Sequence, residues 1–86
     1  MRRVAIKIMY YVYLLKLADG FIYTGSTNDL QNRVQKHDKG DVLATKDKRP
    51  AGVIYYCSFP SKEKAIRFEK YLKTGSGQAF RNKRLI

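Results

Sequence analysis

Five residues of this chain have types suited to chemistry at an anionic oxygen centre: Tyr13, Tyr23, Arg33, His37 and Glu69. The planar guanidinium of Arg33 can grip two phosphate oxygens at once and stabilise charge building on phosphorus. A hard cation, Mg²⁺ or Mn²⁺ in its place, needs oxygen ligands, often one or two carboxylates completed by water and phosphate. Of only seven acids, Glu69 is the best placed for that work, at the margin of an apolar helix face among basic neighbours. Asp19, Asp29 and Asp38 have simpler jobs in a turn, a cap and a helix end. A phenol, with an ordinary pKa of about 10, needs a nearby cation to become a useful base. We expect Tyr13 to accept the water proton with His37 or Tyr23 as hydrogen-bond partner, and the reverse assignment of the two tyrosines stays open. Activated water, relief of phosphoryl charge and help for the leaving oxygen are the requirements of phosphodiester hydrolysis.

A small scaffold must hold these side chains. Residues 8–17 are β-branched, aromatic or leucine and read as a strand, Ala18-Asp19-Gly20 as a tight turn, and residues 21–25 as the returning strand. Loop length decides the chemistry here. A two-residue turn sets Tyr13 and Tyr23 on opposite faces, whereas a three-residue loop with Gly20 left-handed, which a turn residue followed by Asp and Gly suits, sets them on one face as we expect. Asn28 or Asp29 caps a helix to about residue 38, ended by Gly40. On it Leu30, Val34 and His37 form a stripe, with Arg33 on its edge. A basic loop spans residues 39–50, and a third strand spans 53–59. Ser61 caps a second helix whose apolar face is Ala65, Phe68 and Leu72. Thr74-Gly75-Ser76-Gly77 is expected to break that helix, leaving a last short helical turn from Gln78. The fold class is therefore α+β, a small three-stranded antiparallel sheet flanked by helices in the order β-β-α-β-α-(α).

With 86 residues, one domain spanning 1–86 is expected. Eighteen Lys and Arg against seven Asp and Glu give a net charge of +11, a field that attracts phosphate polymers or anionic membranes. No apolar run approaches the roughly 18 residues of a membrane span, so no membrane partner is expected. The start, with Arg2, Arg3 and Lys7 before an apolar stretch, mimics a leader, but it is tyrosine-rich, alternates like a strand and lacks a small-residue cleavage site. A single cysteine, Cys57, excludes an internal disulfide and a cysteine-held zinc, and makes a reducing cytoplasm the economical setting. Lys46, Lys48, Arg49, Lys83 and Arg84 are expected to contact phosphates without reading bases.

Taken singly, each candidate has a plainer job. A strand tyrosine packs, His37 meets helix-end carbonyls, and Glu69 pairs with Lys73 four residues on. Tyr10, Tyr11, Tyr55, Tyr56 and Tyr71 are left to packing, Cys57 to a buried strand position, and Gly25 to backbone geometry between strand and helix.

The set taken together, however, resembles the GIY-YIG nuclease superfamily, in particular its small stand-alone branch. Val12-Tyr13-Leu14 and Tyr23-Thr24-Gly25, then Arg33, His37 and Glu69, follow that order and spacing from about residue 10 to 72. The resemblance implies that Tyr13 and Tyr23 belong to the paired motifs, that Arg33 binds phosphate, that His37 fills a histidine-or-tyrosine position and that Glu69 holds a divalent metal. Tyr11 stands at the first motif's glycine. Ser26 stands where a lysine often follows the second motif, a vacancy that Lys46 or Lys48 could fill, and Asn82 is the nearest candidate for a further family asparagine. A DNA endonuclease acting on duplex or branched DNA is thus expected, with specificity left to DNA structure or a protein partner. A non-catalytic nucleic-acid-binding module and a small basic assembly protein, such as a ribosome-associated one, are the alternatives.

Overall fold

The structure is a computed structural model and describes residues 8–86, so Arg2, Arg3 and Lys7 of the leader-like start lie outside the described residues. Strand β1, Tyr10–Lys16, and strand β2, Ile22–Thr27, form the expected hairpin. Leu17 and Gly20 settle its loop. The Leu17 N–H donates to the Phe21 carbonyl and the Gly20 N–H to the Leu17 carbonyl, both at 2.9 Å, leaving Ala18-Asp19-Gly20 as a three-residue loop with Gly20 at φ +87°. The Phe21 N–H donates to Asp19, and this bond, more than nearby Lys48, holds the Asp19 carboxyl below its ordinary pKa. In the resulting register Tyr13 faces Gly25 and Leu15 faces Tyr23, so both tyrosines lie on one side of the sheet.

Strand β3, Gly52–Phe59, pairs antiparallel with the other side of β1, giving the order β2-β1-β3. β1 takes the centre because it is apolar on both faces. Val12 and Leu14 on one, Tyr13 and Leu15 on the other, are all at most 1 % exposed. Helix α1, Leu30–Lys39, starts where the Asp29 carboxylate accepts the Asn32 N–H at 3.1 Å and ends at Gly40. It packs on the Tyr13 face, where Leu30 joins Tyr13, Leu15, Leu17 and Tyr23 in one half-core. The opposite half-core joins Val12 and Leu14 to Ala65, Phe68 and Leu72 of helix α2, Lys62–Leu72, which Ser61 caps. The fold is α+β, as the sequence predicts, with helices on both faces of the sheet.

One expectation fails at the C-terminal end. Thr74-Gly75-Ser76-Gly77 does break α2, but residues 75–77 are already the first turn of a ten-residue helix, α3, Gly75–Arg84, rather than a linker before a short turn. The Thr74 hydroxyl accepts the Gly77 N–H at 3.0 Å and so caps it. Gly77 is buried against the end of α2, where a Cβ would overlap the Tyr71 carbonyl and lie 2.8 Å from Leu72 Cα. Close approach, not flexibility, is what the glycine supplies. Gly77→Ala should therefore lower the unfolding free energy by about 1–3 kcal/mol through overpacking. Gly75→Ala, whose Cβ meets nothing within 4 Å, should be neutral or mildly stabilising, and urea titrations of the two variants compare them directly.

Candidate active site

The five candidate residues meet at the free edge of β2, where helices from both faces of the sheet come round. Tyr13 projects from the central strand across β2. Its ring reaches that edge because position 25 has no side chain: a Cβ there would overlap the Tyr13 hydroxyl and Cζ. Gly25 thus lies inside β2, not at the strand-to-helix turn, and the ring's path explains it better than backbone freedom does.

At the edge the Tyr13 hydroxyl is 2.8 Å from His37 Nε2, and His37 Nδ1 is 2.7 Å from the Thr45 hydroxyl. All three residues are buried, at 1, 2 and 0 % exposure. A neutral imidazole has one N–H and one lone pair, so one hydroxyl donates to it and the other accepts from it. Burial lowers the His37 pKa and the Arg33 guanidinium lowers it further, so His37 is neutral at pH 7. Burial likewise raises the Tyr13 pKa far above the ordinary phenol value; Tyr23 adds to the rise, Arg33 partly offsets it, and Glu69 contributes to it. The expectation that Tyr13 itself takes the water proton thus meets a buried hydroxyl already bonded to His37. The reverse assignment gains. Tyr23 is half-buried on the same face, its ring 5.2 Å from that of His37 and 6.3 Å from that of Tyr13.

His37 gives a pH prediction. Its folded-state pKa lies below the unfolded value of 6.5, so below that pH the unfolded chain binds more protons than the folded one. Stability from this source is fully present above pH 6.5 and is lost as pH falls through the folded pKa. Urea unfolding at about pH 7.5 and about pH 5.5 should show that decline, and His37→Gln should flatten it.

Glu69 arrives from α2 on the opposite face. The Ser26 hydroxyl donates to its Oε1 at 2.5 Å and the Lys73 ammonium to its Oε2 at 2.9 Å, and the Glu69 side chain is 18 % exposed. Ser26, at the vacant lysine position, is therefore a direct partner of Glu69. Among the described residues no three His, Cys, Asp or Glu gather into a metal cluster. A carboxylate offers about four lone-pair sites, and Ser26 and Lys73 use two. That donor set fits a hard cation that keeps most of its ligands as water and phosphate, and does not fit a metal needing several protein ligands.

Arg33 is half-buried and lines a cavity of about 310 Å³ with Ser26, Asn28 and Lys62. A second cavity, about 420 Å³, continues along β2 between Tyr23, Lys73 and Arg81. Further cations beside the site are thus Lys62, Lys73 and Arg81; Lys73 is the partner of Glu69 that the sequence offered, whereas Lys62, Arg81 and Thr45 were missed from sequence. Neither Lys48 nor Arg49 reaches in. Lys48 pairs with Asp19 at 3.5 Å and lies over the Phe21 ring, while Arg49 donates to the Lys46 and Asp38 carbonyls and so braces the end of α1. Lys46 is exposed in the same 3₁₀ turn, Lys46–Lys48. Lys83 and Arg84 are exposed at the end of α3, on the other side of the sheet, and exposed Asn82 accepts from Arg81. Cys57 is free and half-buried rather than fully buried, and burial raises its thiol pKa.

The profile of the GIY-YIG catalytic domain matches residues 9–84. A UPF0213 protein of Staphylococcus saprophyticus is 37 % identical over 70 residues, covering 80 % of this chain and 85 % of that protein. One from Bacillus pumilus is 41 % identical over 66 residues, covering 76 % and 67 %. The solution NMR structure of a UPF0213 protein from Bacillus halodurans superposes with a TM-score of 0.56 at 36 % identity, over 86 % of this chain and 80 % of that one. Since the profile spans the sheet, both half-cores and every residue at the β2 edge, the chain belongs to the GIY-YIG catalytic domain family.

Proposed function

We propose that this protein is a divalent-metal-dependent endonuclease that hydrolyses DNA phosphodiester bonds. The observation carrying this reading is the meeting at one strand edge of a phosphate-gripping arginine, a carboxylate able to hold Mg²⁺ or Mn²⁺, and a buried tyrosine–histidine–threonine chain. Arg33, with Lys62 beside it, holds the substrate phosphate and stabilises charge on it. Glu69, oriented by Ser26, holds the metal, which when bound neutralises charge on the phosphoryl oxygens. Tyr23, the half-buried tyrosine, meets the attacking water. Tyr13, fixed by His37 and Thr45, is a positioning residue that shapes the wall behind it and can pass a proton only to His37. Lys46, Lys83 and Arg84 provide further phosphate contacts, DNA structure or a protein partner supplies specificity, and the cytoplasm is the setting. Among the described residues no helix is long and apolar enough to cross a membrane.

A non-catalytic nucleic-acid binder using the same basic face has one observation in its favour: Lys73 already neutralises Glu69. Labelled duplex, flap, junction and single-stranded DNA, incubated with the protein in Mg²⁺, Mn²⁺ or EDTA, separates the two readings. Metal-dependent cuts are expected from the enzyme, and shifted but intact DNA from the binder.

A further inference from the structure

Helix α1 leaves half of the Tyr13 face uncovered, and that half carries aromatic surface which the proposed chemistry does not use. Tyr56 of the outer strand β3 pairs in register with Tyr13, so it projects from the same face, yet it is 58 % exposed. Packing, its plainest explanation from sequence, does not account for that exposure. Tyr11, two residues before Tyr13 and so about 7 Å along the strand, backs it: the rings lie 6.4 Å apart at 60°. Val53, opposite Leu15, extends the same open face at 38 % exposure.

Beside this pair lies a groove of about 400 Å³ leading to the start of α1. Asn28 lines both this groove and the Arg33 cavity, so the two are neighbours. The open aromatic surface therefore neighbours the cavity where Arg33 would hold a phosphate. We infer that Tyr56, backed by Tyr11, is a stacking platform for an unpaired nucleobase of the strand whose phosphate Arg33 holds. This rests on the nuclease reading and names its substrate class.

The physical case is direct. A net charge of +11 draws in a polyanion and makes two copies of the chain repel each other, which favours nucleic acid over self-association on this surface. A tyrosine ring offers a base a large flat contact at low conformational cost and without regard to sequence. Bases inside a uniform duplex are already stacked on their neighbours, so only single-stranded DNA, a flap or a junction arm presents a free face. The platform thus selects DNA by structure.

The test measures binding in EDTA, where no hydrolysis occurs, so a failure of this inference is distinct from a failure to find cleavage. Fluorescence anisotropy would compare wild type, Tyr56→Ala and Tyr56→Phe on a labelled single-stranded oligonucleotide and on its blunt duplex. Tyr56→Ala should weaken single-strand binding about tenfold or more, change duplex binding less than about twofold, and be rescued by Tyr56→Phe. Unchanged single-strand affinity in Tyr56→Ala, or an equal loss on both DNAs, overturns the platform. So does a wild-type dimer in sedimentation that Tyr56→Ala dissociates without touching single-strand affinity, which would give the face to a second copy. Because Tyr56 is exposed, its replacement should leave the melting transition in place, and a circular dichroism melt checks this.

Discussion

Glu69→Ala should remove DNA cleavage, a fall of roughly 10³-fold or more, while the fold and the affinity for duplex persist. The size follows from the proposed chemistry: charge relief by a carboxylate-held metal contributes several kcal/mol at the transition state, and each 1.36 kcal/mol is tenfold in rate. Among the described residues no second carboxylate bonds to the Ser26–Glu69–Lys73 set, so none substitutes locally. The fold should tolerate the change because Lys73 is 56 % exposed and regains water when its partner goes. An ion pair with its lysine end this exposed contributes about 0–1 kcal/mol. Affinity for DNA should hold or rise slightly, since a negative charge leaves a basic surface. Glu69→Gln refines the experiment: its amide oxygen can still accept from Ser26, so lost cleavage there isolates the charge from the scaffold. Cleavage rates, anisotropy on an uncut analogue and a thermal melt give the three readouts.

Gly25→Ala should cost nearly as much through a single methyl group. The new Cβ falls on the Tyr13 hydroxyl and Cζ, and Tyr13 is too deeply buried to swing its ring aside. Either the Tyr13–His37 bond breaks or β2 moves away from β1, at about 1–3 kcal/mol of overpacking. Since His37 and Tyr23 are arranged around the Tyr13 ring, cleavage should fall about 10²–10⁴-fold, the range expected when proton-transfer geometry is lost. Tyr13→Phe removes the hydroxyl alone. It should also suppress cleavage, with the protein still folded but weakened by about 1–3 kcal/mol because His37 Nε2 loses its buried partner. Part of the clash at position 25 is with that same hydroxyl. The double variant should therefore lose less stability than the sum of the singles, and urea unfolding of the four proteins measures the coupling.

These effects show how far the sequence carried. The hairpin was legible because Ala-Asp-Gly selects a three-residue loop, and that loop alone fixes Tyr13 and Tyr23 to one face. Ser61 was legible as a cap, and Asp29 as one of two candidates with Asn28, because a short oxygen-bearing side chain before an apolar period has few other uses. What escaped depends on contacts between distant segments. Gly77 reads as a break until α2 is seen pressed against it, and Thr45 is an ordinary loop residue until His37 reaches it across eight positions. Surface cations look alike in sequence. Lys48 and Arg49 are committed to Asp19 and to backbone carbonyls, while Lys62 and Lys73 stand at the site. Strand alternation also could not separate buried Tyr13 from exposed Tyr56, which share a face but differ in what covers them.

The most direct test is a cleavage time course on end-labelled flap, junction, single-stranded and duplex DNA with wild type and Glu69→Ala, each in Mg²⁺ and in EDTA. Cuts that require Mg²⁺ and vanish in the variant, while both proteins still bind the DNA, are the predicted result. Equal cutting by wild type and Glu69→Ala, or intact DNA in every lane despite binding, would contradict the proposed chemistry at the β2 edge.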